Sequence, residues 1–425
     1  MNSKKFLAGV LAAAMALSLT ACGGADSSDP NPGASTPDAS TGDSSTPAAD
    51  GAITIKVGGI GPLTGSTATY GVATDYGAQV AVNEINALDS DIKLELRFED
   101  DTGVNETGVS AYNTLKDWDV DVIYGTTTTG PCVAVSAETF ADRYFQLTPS
   151  ASSPDVTDGK DNVFQMCFTD PNQGLTAANY VADNSLATKV AVIYNNGDAY
   201  STGIAQGFIA QAAERGLEVV TEQTFPADTT TDFNVQLAAC RDGGAELVFM
   251  PIYYGPASLV LQQANAMGYD PQFFGGDGMD GILAIEGFDT SLAEGLMLLT
   301  PFNATAEDER TVTFVESYKA LSGSDENPNQ FAADGYDCMY AIYEALLNID
   351  NLSEIAAMDY AERHTALCDA LIVQFAGEYD DAGNQTAPGI SVDGLTGSGM
   401  TWQANGEVSK DPMVVIVENG AYVSQ

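Results

Sequence analysis

One histidine, His364, occurs among the 425 residues, and the sequence has no Gly-x-Ser-x-Gly motif, no phosphate-binding loop and no Cys-x-x-Cys pair. His364 falls on a predicted helix away from every strand-end loop, so we expect a surface or packed residue rather than a general base. Asp100 and Asp101 are adjacent on an extended segment and point to opposite faces, which does not suit two acids acting together on a sugar. These absences predict a protein that is not an enzyme, with no catalytic residue, metal site or cofactor.

Basic residues are scarce. The chain has 15 lysines and arginines against 59 aspartates and glutamates, a formal net charge of −44. Such a chain repels phosphates, which excludes nucleic acid as a partner and argues against direct binding of the body to an anionic lipid surface. We interpret the acidity as a source of solubility.

Long apolar runs are also missing, apart from residues 6–19, which are too few to span a bilayer. Lys4 and Lys5 precede this run, and Thr20 and Ala21 lead into Cys22. The segment resembles the bacterial lipoprotein signal, which implies that residues 1–21 are removed and that Cys22 is acylated. We therefore expect an extracytoplasmic protein anchored to the cell membrane by lipid, since buried acyl chains hold it there. An ordinary secretory signal is the alternative.

The residues after Cys22, up to about residue 51, contain no aromatic and no β-branched aliphatic side chain before Ile53. Such a segment cannot bury enough apolar surface to offset its loss of conformational entropy. We expect residues 22–51 to form a disordered, lipid-anchored linker.

The remaining cysteines are five in number and widely spaced, which does not suit a zinc site. Cys167 and Cys338 lie in apolar segments and are predicted to be packed thiols. A disulfide within the set stays open, and its pairing cannot be assigned from the sequence. The set comprises Cys132, Cys167, Cys240, Cys338 and Cys368.

Strand and helix patterns alternate twice along the body. The first series runs from Ile53 to Thr148 and the second from Lys189 to Gly275, and further helices and two β-like segments follow. This spacing predicts parallel βαβ units, and a body of about 375 residues exceeds what one core usually holds. We predict an α/β protein with two doubly wound parallel-sheet lobes, whose ligand site lies in the cleft between them.

The predicted strand ends carry polar residues of two kinds. In the first lobe, residues 125–130 and 148–154 are rich in threonine and serine, which suit a carboxylate at a helix start. In the second lobe, Asp277 lies among glycines and could face an ammonium group. Ordinary caps and turns would explain each loop alone. Together the loops supply what a zwitterion needs to bridge a cleft.

The body from about Ile53 onward resembles the leucine/isoleucine/valine-binding proteins of bacterial ABC importers, which have the type I periplasmic-binding fold. The order and spacing of several motifs carry the resemblance. These are Gly61–Gly65 with Tyr70-Gly71, Asn83–Asn86, Glu99–Asp101, Thr148–Pro154, Asp170, Thr231–Phe233, Gly275–Gly278, Gly335–Asp337 and Asp393–Gly397.

The resemblance implies roles for individual residues. Thr129 and Ser152, with backbone amides near Ser150, would hold the α-carboxylate of an amino acid, and Asp277 would hold its α-ammonium. The cleft would be lined by Tyr70, by Tyr200 and by Tyr253 or Tyr254, so that both of the last two are candidate ligand residues. The partners implied are a small amino-acid-like ligand and an ABC permease, and the protein would be a monomer.

Three crossovers, near Phe168, Pro301 and Val392, would join the lobes and allow hinge closure. The N-terminal lobe would then comprise residues 52–167 and 302–392, and the C-terminal lobe residues 168–301 and 393–425.

One departure leaves the ligand open. Where relatives specific for aliphatic ligands have apolar residues, this chain has Thr127 and Thr128. The main expectation is a branched-chain or other small amino acid. An amide, urea-like or peptide ligand on the same fold remains an alternative, as does a sensory or adhesive surface protein.

Overall fold

The computed structural model describes residues 51–380 and 382–424, which form two large sheets flanked by helices. The predicted signal peptide, Cys22 and nearly all of the predicted linker lie outside these residues. Within the described residues, no helix has the length and apolar character needed to cross a bilayer.

The first lobe is built on a parallel sheet with the strand order β2-β1-β3-β4-β5. Its first strand alternates in sequence and buries Ile55 and Val57. The elements of this series are β1 (Ile53–Gly61), α1 (Ala68–Ala87), β2 (Ile92–Asp100), α2 (Asn105–Asp117), β3 (Val122–Gly125), α3 (Thr129–Asp142), β4 (Gln146–Thr148) and β5 (Val163–Gln165).

The second lobe repeats the alternation around the strands β10-β9-β8-β6-β7, which are parallel. Two antiparallel strands from the end of the chain, β13 (Met413–Glu418) and β14 (Ala421–Ser424), extend this sheet beside β10. The series comprises α4 (Asp170–Asp183), β6 (Lys189–Asn195), α5 (Ala199–Arg215), β7 (Glu218–Phe225), α6 (Asn234–Gly243), β8 (Leu247–Phe249), α7 (Tyr254–Ala266), β9 (Gln272–Phe274) and β10 (Met297–Thr300).

The chain then returns to the first lobe. The hydroxyls of Tyr336 and Tyr340 donate to Glu84 of α1 at 2.6 and 2.9 Å, and Phe375 packs against Phe145 and Phe164 beside β4 and β5. The returning elements are α8 (Glu309–Ser322), α9 (Gln330–Leu347), α10 (Leu352–Ala356), α11 (Tyr360–Ala376) and the hairpin of β11 (Glu378–Tyr379) and β12 (Gln385–Ala387), followed by β13 (Met413–Glu418) and β14 (Ala421–Ser424).

The two-lobed α/β fold predicted from periodicity is therefore confirmed. The sequence patterns missed β5 and β10, which have only three and four residues, and α4, whose apolar face is largely alanine. Short strands and small-residue helices give a weak periodic signal, because few side chains define the buried face.

The third crossover was predicted near Val392, and the structure places it elsewhere. Trp402 donates its indole N–H to the carbonyl of Gln165 at 2.8 Å, and the carbonyl of Gly406 accepts from the Gln165 amide at 2.9 Å. Residues 393–410 therefore lie against β5 of the first lobe, and the chain crosses only at residues 411–412. The glycine-rich segment after Val392 looked like a linker, but its amides bind the buried carboxylate of Asp337.

The five body cysteines are all free and buried, so the packed thiols predicted at Cys167 and Cys338 are confirmed. Burial raises the pKa of the Cys132 thiol to about 12, which keeps it protonated and unreactive.

A buried ion pair fixes the end of this returning segment. The ammonium of Lys410 lies 2.9 Å from Asp334 Oδ1, and the two side chains are 1% and 3% exposed. Burial raises the pKa of Asp334 to about 7, and the charge of Lys410 opposes that rise only in part.

Lys410→Met is expected to lower the free energy of unfolding at pH 8 by about 3–5 kcal/mol, because it leaves the Asp334 carboxylate buried without its cation. Urea unfolding measures this. The control is Lys116→Met, whose partner Asp142 is well exposed, and it should cost about 1 kcal/mol or less. Equal losses in the two variants would contradict a buried pair.

Candidate ligand cleft

The strand-end loops of the two lobes face each other across a narrow cavity, whose empty space, including the part open to solvent, is about 230 Å³. Its walls come from both lobes and consist of Tyr70, Thr127, Thr128, Thr129, Ser150, Tyr200, Tyr253, Asp277, Gly278 and Phe331.

The first lobe presents hydroxyl groups at the start of α3. Thr128 and Thr129 are buried, and within the described residues neither side-chain hydroxyl has a hydrogen-bond partner. The first amides of a helix also carry a partial positive charge. Since unpaired buried hydroxyls are costly, this end of the cavity is arranged to receive an anionic group.

Two loops of the first lobe hold each other in place beneath these threonines. Ser150 Oγ donates to the carbonyl of Thr127 at 2.6 Å, and Thr148 Oγ1 donates to the carbonyl of Thr126 at 2.7 Å. The loop after β3 is thereby tied to the loop after β4, which fixes the direction of the Thr128 and Thr129 side chains.

The second lobe presents the carboxylate of Asp277, in a short 3-10 turn after β9. Its Oδ1 accepts from the Tyr200 hydroxyl at 2.8 Å, and its amide donates to Gln173 Oε1 at 3.0 Å. Burial raises the pKa of Asp277 to about 6, and hydrogen bonds from neutral neighbours such as Tyr200 and Gln173 oppose the rise only in part. The buried carboxylate is therefore suited to a cationic group.

Tyr70 joins the lobes beside this carboxylate. Its hydroxyl donates to the carbonyl of Gly278 and accepts from the amide of Tyr254 at 3.3 Å. Its ring centroid lies 4.4 Å from that of Phe331 and 5.0 Å from that of Tyr254. A residue of α1 thus binds the turn that contains Asp277, so the position of one lobe depends on the other.

Stacked aromatic rings form the rest of the wall. Tyr200 and Tyr253 are nearly parallel with centroids 4.9 Å apart. Gly278 lies against them: a Cβ added there would come within 2.6 Å of the Tyr200 hydroxyl and 3.0 Å of the Tyr253 ring. Only glycine lets the backbone approach these tyrosines so closely.

Six of the eight predicted ligand residues line the cavity, and two do not. Tyr254 contacts the cavity indirectly, through Tyr70. Ser152 lies behind the wall, where its carbonyl accepts from the amide of Asp170, and neither its hydroxyl nor the Asp170 carboxylate has a partner within the described residues. The six that line the cavity are Tyr70, Thr129, Ser150, Tyr200, Tyr253 and Asp277.

Sequence reasoning missed several residues of the site. Phe331 lies in the first turn of α9 and forms part of the wall, and Gln330 beside it donates to the carbonyl of Asp277 at 3.2 Å. Gln173, which binds the Asp277 amide, comes from α4, itself a missed helix. Neither segment carries a local motif that could have marked it, because both residues reach the site through tertiary packing.

The structure also bears on His364 and on groups that could hold a metal ion. His364 is half-buried and stacks on Tyr144 with centroids 4.2 Å apart, away from the cavity, as a packed surface residue does. Within the described residues there is no group of three or more side chains placed to hold a metal ion.

Comparison with known proteins agrees with this geometry. Residues 54–418 match the family described as periplasmic binding protein. The Leu/Ile/Val-binding protein homolog 3 of Brucella melitensis is 29% identical over 344 residues, which cover 80% of this chain and 90% of that protein. A leucine-, isoleucine-, valine-, threonine- and alanine-binding protein of Pseudomonas aeruginosa is 27% identical, over 63% of this chain and 72% of its own length.

Solved structures share the fold. The branched-chain amino acid transporter substrate-binding protein LivJ from Streptococcus pneumoniae, in complex with isoleucine, gives a TM-score of 0.74 at 27% identity, covering 87% of this chain and 98% of that one. The leucine-binding protein LivK from Thermotoga maritima gives 0.73 at 24% identity, with coverages of 87% and 97%. The type I fold predicted from the motifs is confirmed, and the relatives are binding proteins, in agreement with the expectation that the chain is not an enzyme. With a match that extends from residue 54 to residue 418, the chain belongs to the periplasmic binding protein family.

Proposed function

We propose that this protein is an extracytoplasmic receptor that binds a branched-chain or other small amino acid between its lobes and presents it to an ABC importer. The proposal rests on one observation: hydrogen-bond donors for an anion and a carboxylate for a cation face each other across one cavity. Unpartnered hydroxyls of Thr128 and Thr129 lie on one lobe, and the buried carboxylate of Asp277 lies on the other.

An α-amino acid carries a partner for the hydroxyls and a partner for the carboxylate in one molecule. Its carboxylate would accept from Thr129 and the amides at the start of α3, and its ammonium would donate to Asp277. Charge-assisted hydrogen bonds of this kind are among the strongest that a site can offer. Ser152 would act from behind the wall, by holding the loop that contains Ser150 rather than by contacting the ligand.

Relatives support this class of ligand. The similar structure from Streptococcus pneumoniae contains isoleucine, and the Pseudomonas aeruginosa relative is named for threonine and alanine as well as for branched-chain amino acids. The hydroxyl groups in the first-lobe wall of the cavity favour a polar ligand over a purely aliphatic one.

Binding would close the two lobes by a hinge motion at the three crossovers. Tyr70 would complete closure, since its hydroxyl reaches the turn of Asp277 from the opposite lobe. We further propose that the mature chain begins at Cys22 and is held at the membrane by lipid, so that captured ligand stays near the permease.

Calorimetry with the twenty amino acids tests the function. At least one amino acid should bind, and Asp277→Ala should abolish its binding, because the ammonium loses its anionic partner. Ser324→Ala, at a surface position after α8, is the control and should bind as wild type does. Failure of every amino acid to bind, or unchanged affinity in Asp277→Ala, would refute the proposal.

Asp277→Asn should raise the stability of the ligand-free protein while removing its affinity. The folded-state pKa of Asp277, about 6, exceeds the ordinary 3.8, so the folded state holds the proton more tightly and this stabilisation is lost as the pH rises through 6. At pH 8 the variant should gain up to about 3 kcal/mol in free energy of unfolding, and about half of that at pH 5. Urea unfolding at the two pH values measures the gain. A loss of stability at pH 8 would contradict a carboxylate left without a cation.

The lipid anchor has a separate test. Cys22→Ser should move the protein from the membrane fraction to the soluble extracytoplasmic fraction, because the variant lacks the cysteine that the predicted signal offers for acylation. The affinity of the purified variant for its ligand should be unchanged. A variant that stays membrane-bound would rule out anchoring at Cys22.

A further inference from the structure

The ligand cavity adjoins a second, larger space between the lobes. This outer chamber is open to solvent, has about 1050 Å³ of empty space when that open part is included, and shares two wall residues with the cavity, Thr128 and Tyr253. The first lobe contributes the start of α3 and the loops around Thr67 and Gly103. The second contributes residues 195–199 and 226–228.

The wall of the outer chamber is acidic. Asp155, Asp198 and Asp228 line it, and none of its lining residues is lysine, arginine or histidine. Lys160 lies nearby, but its ammonium donates to the backbone carbonyls of Asp155 and Asp158. The three carboxylates therefore face the chamber without a cation of the protein in its wall.

Two of these acids are fixed in place and partly desolvated. Asp198 caps α5 through the Ser201 amide, and Asp228 Oδ1 accepts from Asn195 Nδ2 at 2.9 Å. Burial raises the pKa of Asp198 to about 7, and the neighbouring Asp228 adds to the rise. Two partly buried carboxylates on one wall favour a cation near them.

A buried hydroxyl lies at the boundary between the two spaces. Thr128 is 6% exposed and lines both of them, and its Oγ1 has no partner within the described residues. If the carboxylate and ammonium of an amino acid are held at Thr129 and Asp277, its side chain reaches the acidic chamber by passing between Thr128 and Tyr253, the two residues that the spaces share.

We propose that the outer chamber is a side-chain subsite for a cationic group, so that the cleft prefers amino acids whose side chain ends in an ammonium or guanidinium. The inference rests on the proposed function, because it requires the α-amino acid group to be held in the inner cavity. An acidic side chain is repelled by the same wall, and a neutral aliphatic one gains nothing from it.

L-lysine and L-norleucine test the subsite, since their side chains differ mainly in the terminal ammonium. Calorimetry on the purified protein should give lysine an affinity at least about tenfold above that of norleucine, the usual effect of a charge-assisted hydrogen bond. The double variant Asp198→Asn/Asp228→Asn should remove this advantage and leave norleucine within about twofold of wild type. Asparagine is a good helix cap, so α5 should keep its start.

The outcomes separate the two proposals. Norleucine or leucine binding as tightly as lysine, with no effect of the double variant, would overturn the cationic subsite while leaving the amino-acid receptor intact. Binding of none of the three would overturn the subsite, and absence of binding across all twenty amino acids would overturn the receptor as well. Equal loss of lysine and norleucine in the double variant would also overturn the subsite, since the acids would then act on the fold rather than on the cation.

Discussion

Within the part of the chain that the structure describes, the buried carboxylate of Asp277 has no cation among its hydrogen-bond partners, and the architecture around it is arranged to keep it buried. The Tyr200 hydroxyl donates to this carboxylate, and Gln173 accepts from the Asp277 amide. Gln330 of α9 donates to the backbone carbonyl of Asp277. These neutral groups lower the free-energy cost of burying the Asp277 carboxylate but do not remove it, as the raised pKa of Asp277 indicates. A ligand ammonium would supply the missing charge, so ligand binding and relief of this cost are one event.

The same turn couples the lobes. Tyr70 reaches from α1 to the carbonyl of Gly278, directly after Asp277, and packs on Phe331 and Tyr254. The three crossovers that connect the lobes are short, and the third is held to the first lobe up to Lys410 by its buried ion pair with Asp334. Rigid lobes with short connections allow opening and closing but restrict other relative motions. Charge compensation at Asp277 is thereby linked to closure.

Sequence patterns predicted the fold and much of the site, because these depend on local signals. Alternation and helical spacing define most strands and helices, and a glycine-flanked acid at a strand end marks Asp277. What the patterns missed depends on long-range packing. Phe331 and Gln173 enter the site from helices without a motif, and the third crossover was misplaced because Trp402 binds Gln165, more than 200 positions earlier in the chain. Ser152 was expected in the wall and lies behind it, since a strand-end loop can turn some of its hydroxyls inward.

In the proposed mode of binding, one amino acid pairs with Asp277 on one lobe and with the threonine hydroxyls on the other. A crystal structure of the protein with a bound amino acid is the decisive measurement. We expect the ligand ammonium within hydrogen-bond distance of Asp277 and its carboxylate at Thr129 and the first amides of α3. A ligand bound with its carboxylate toward Asp277, or outside the cavity between the lobes, would contradict it.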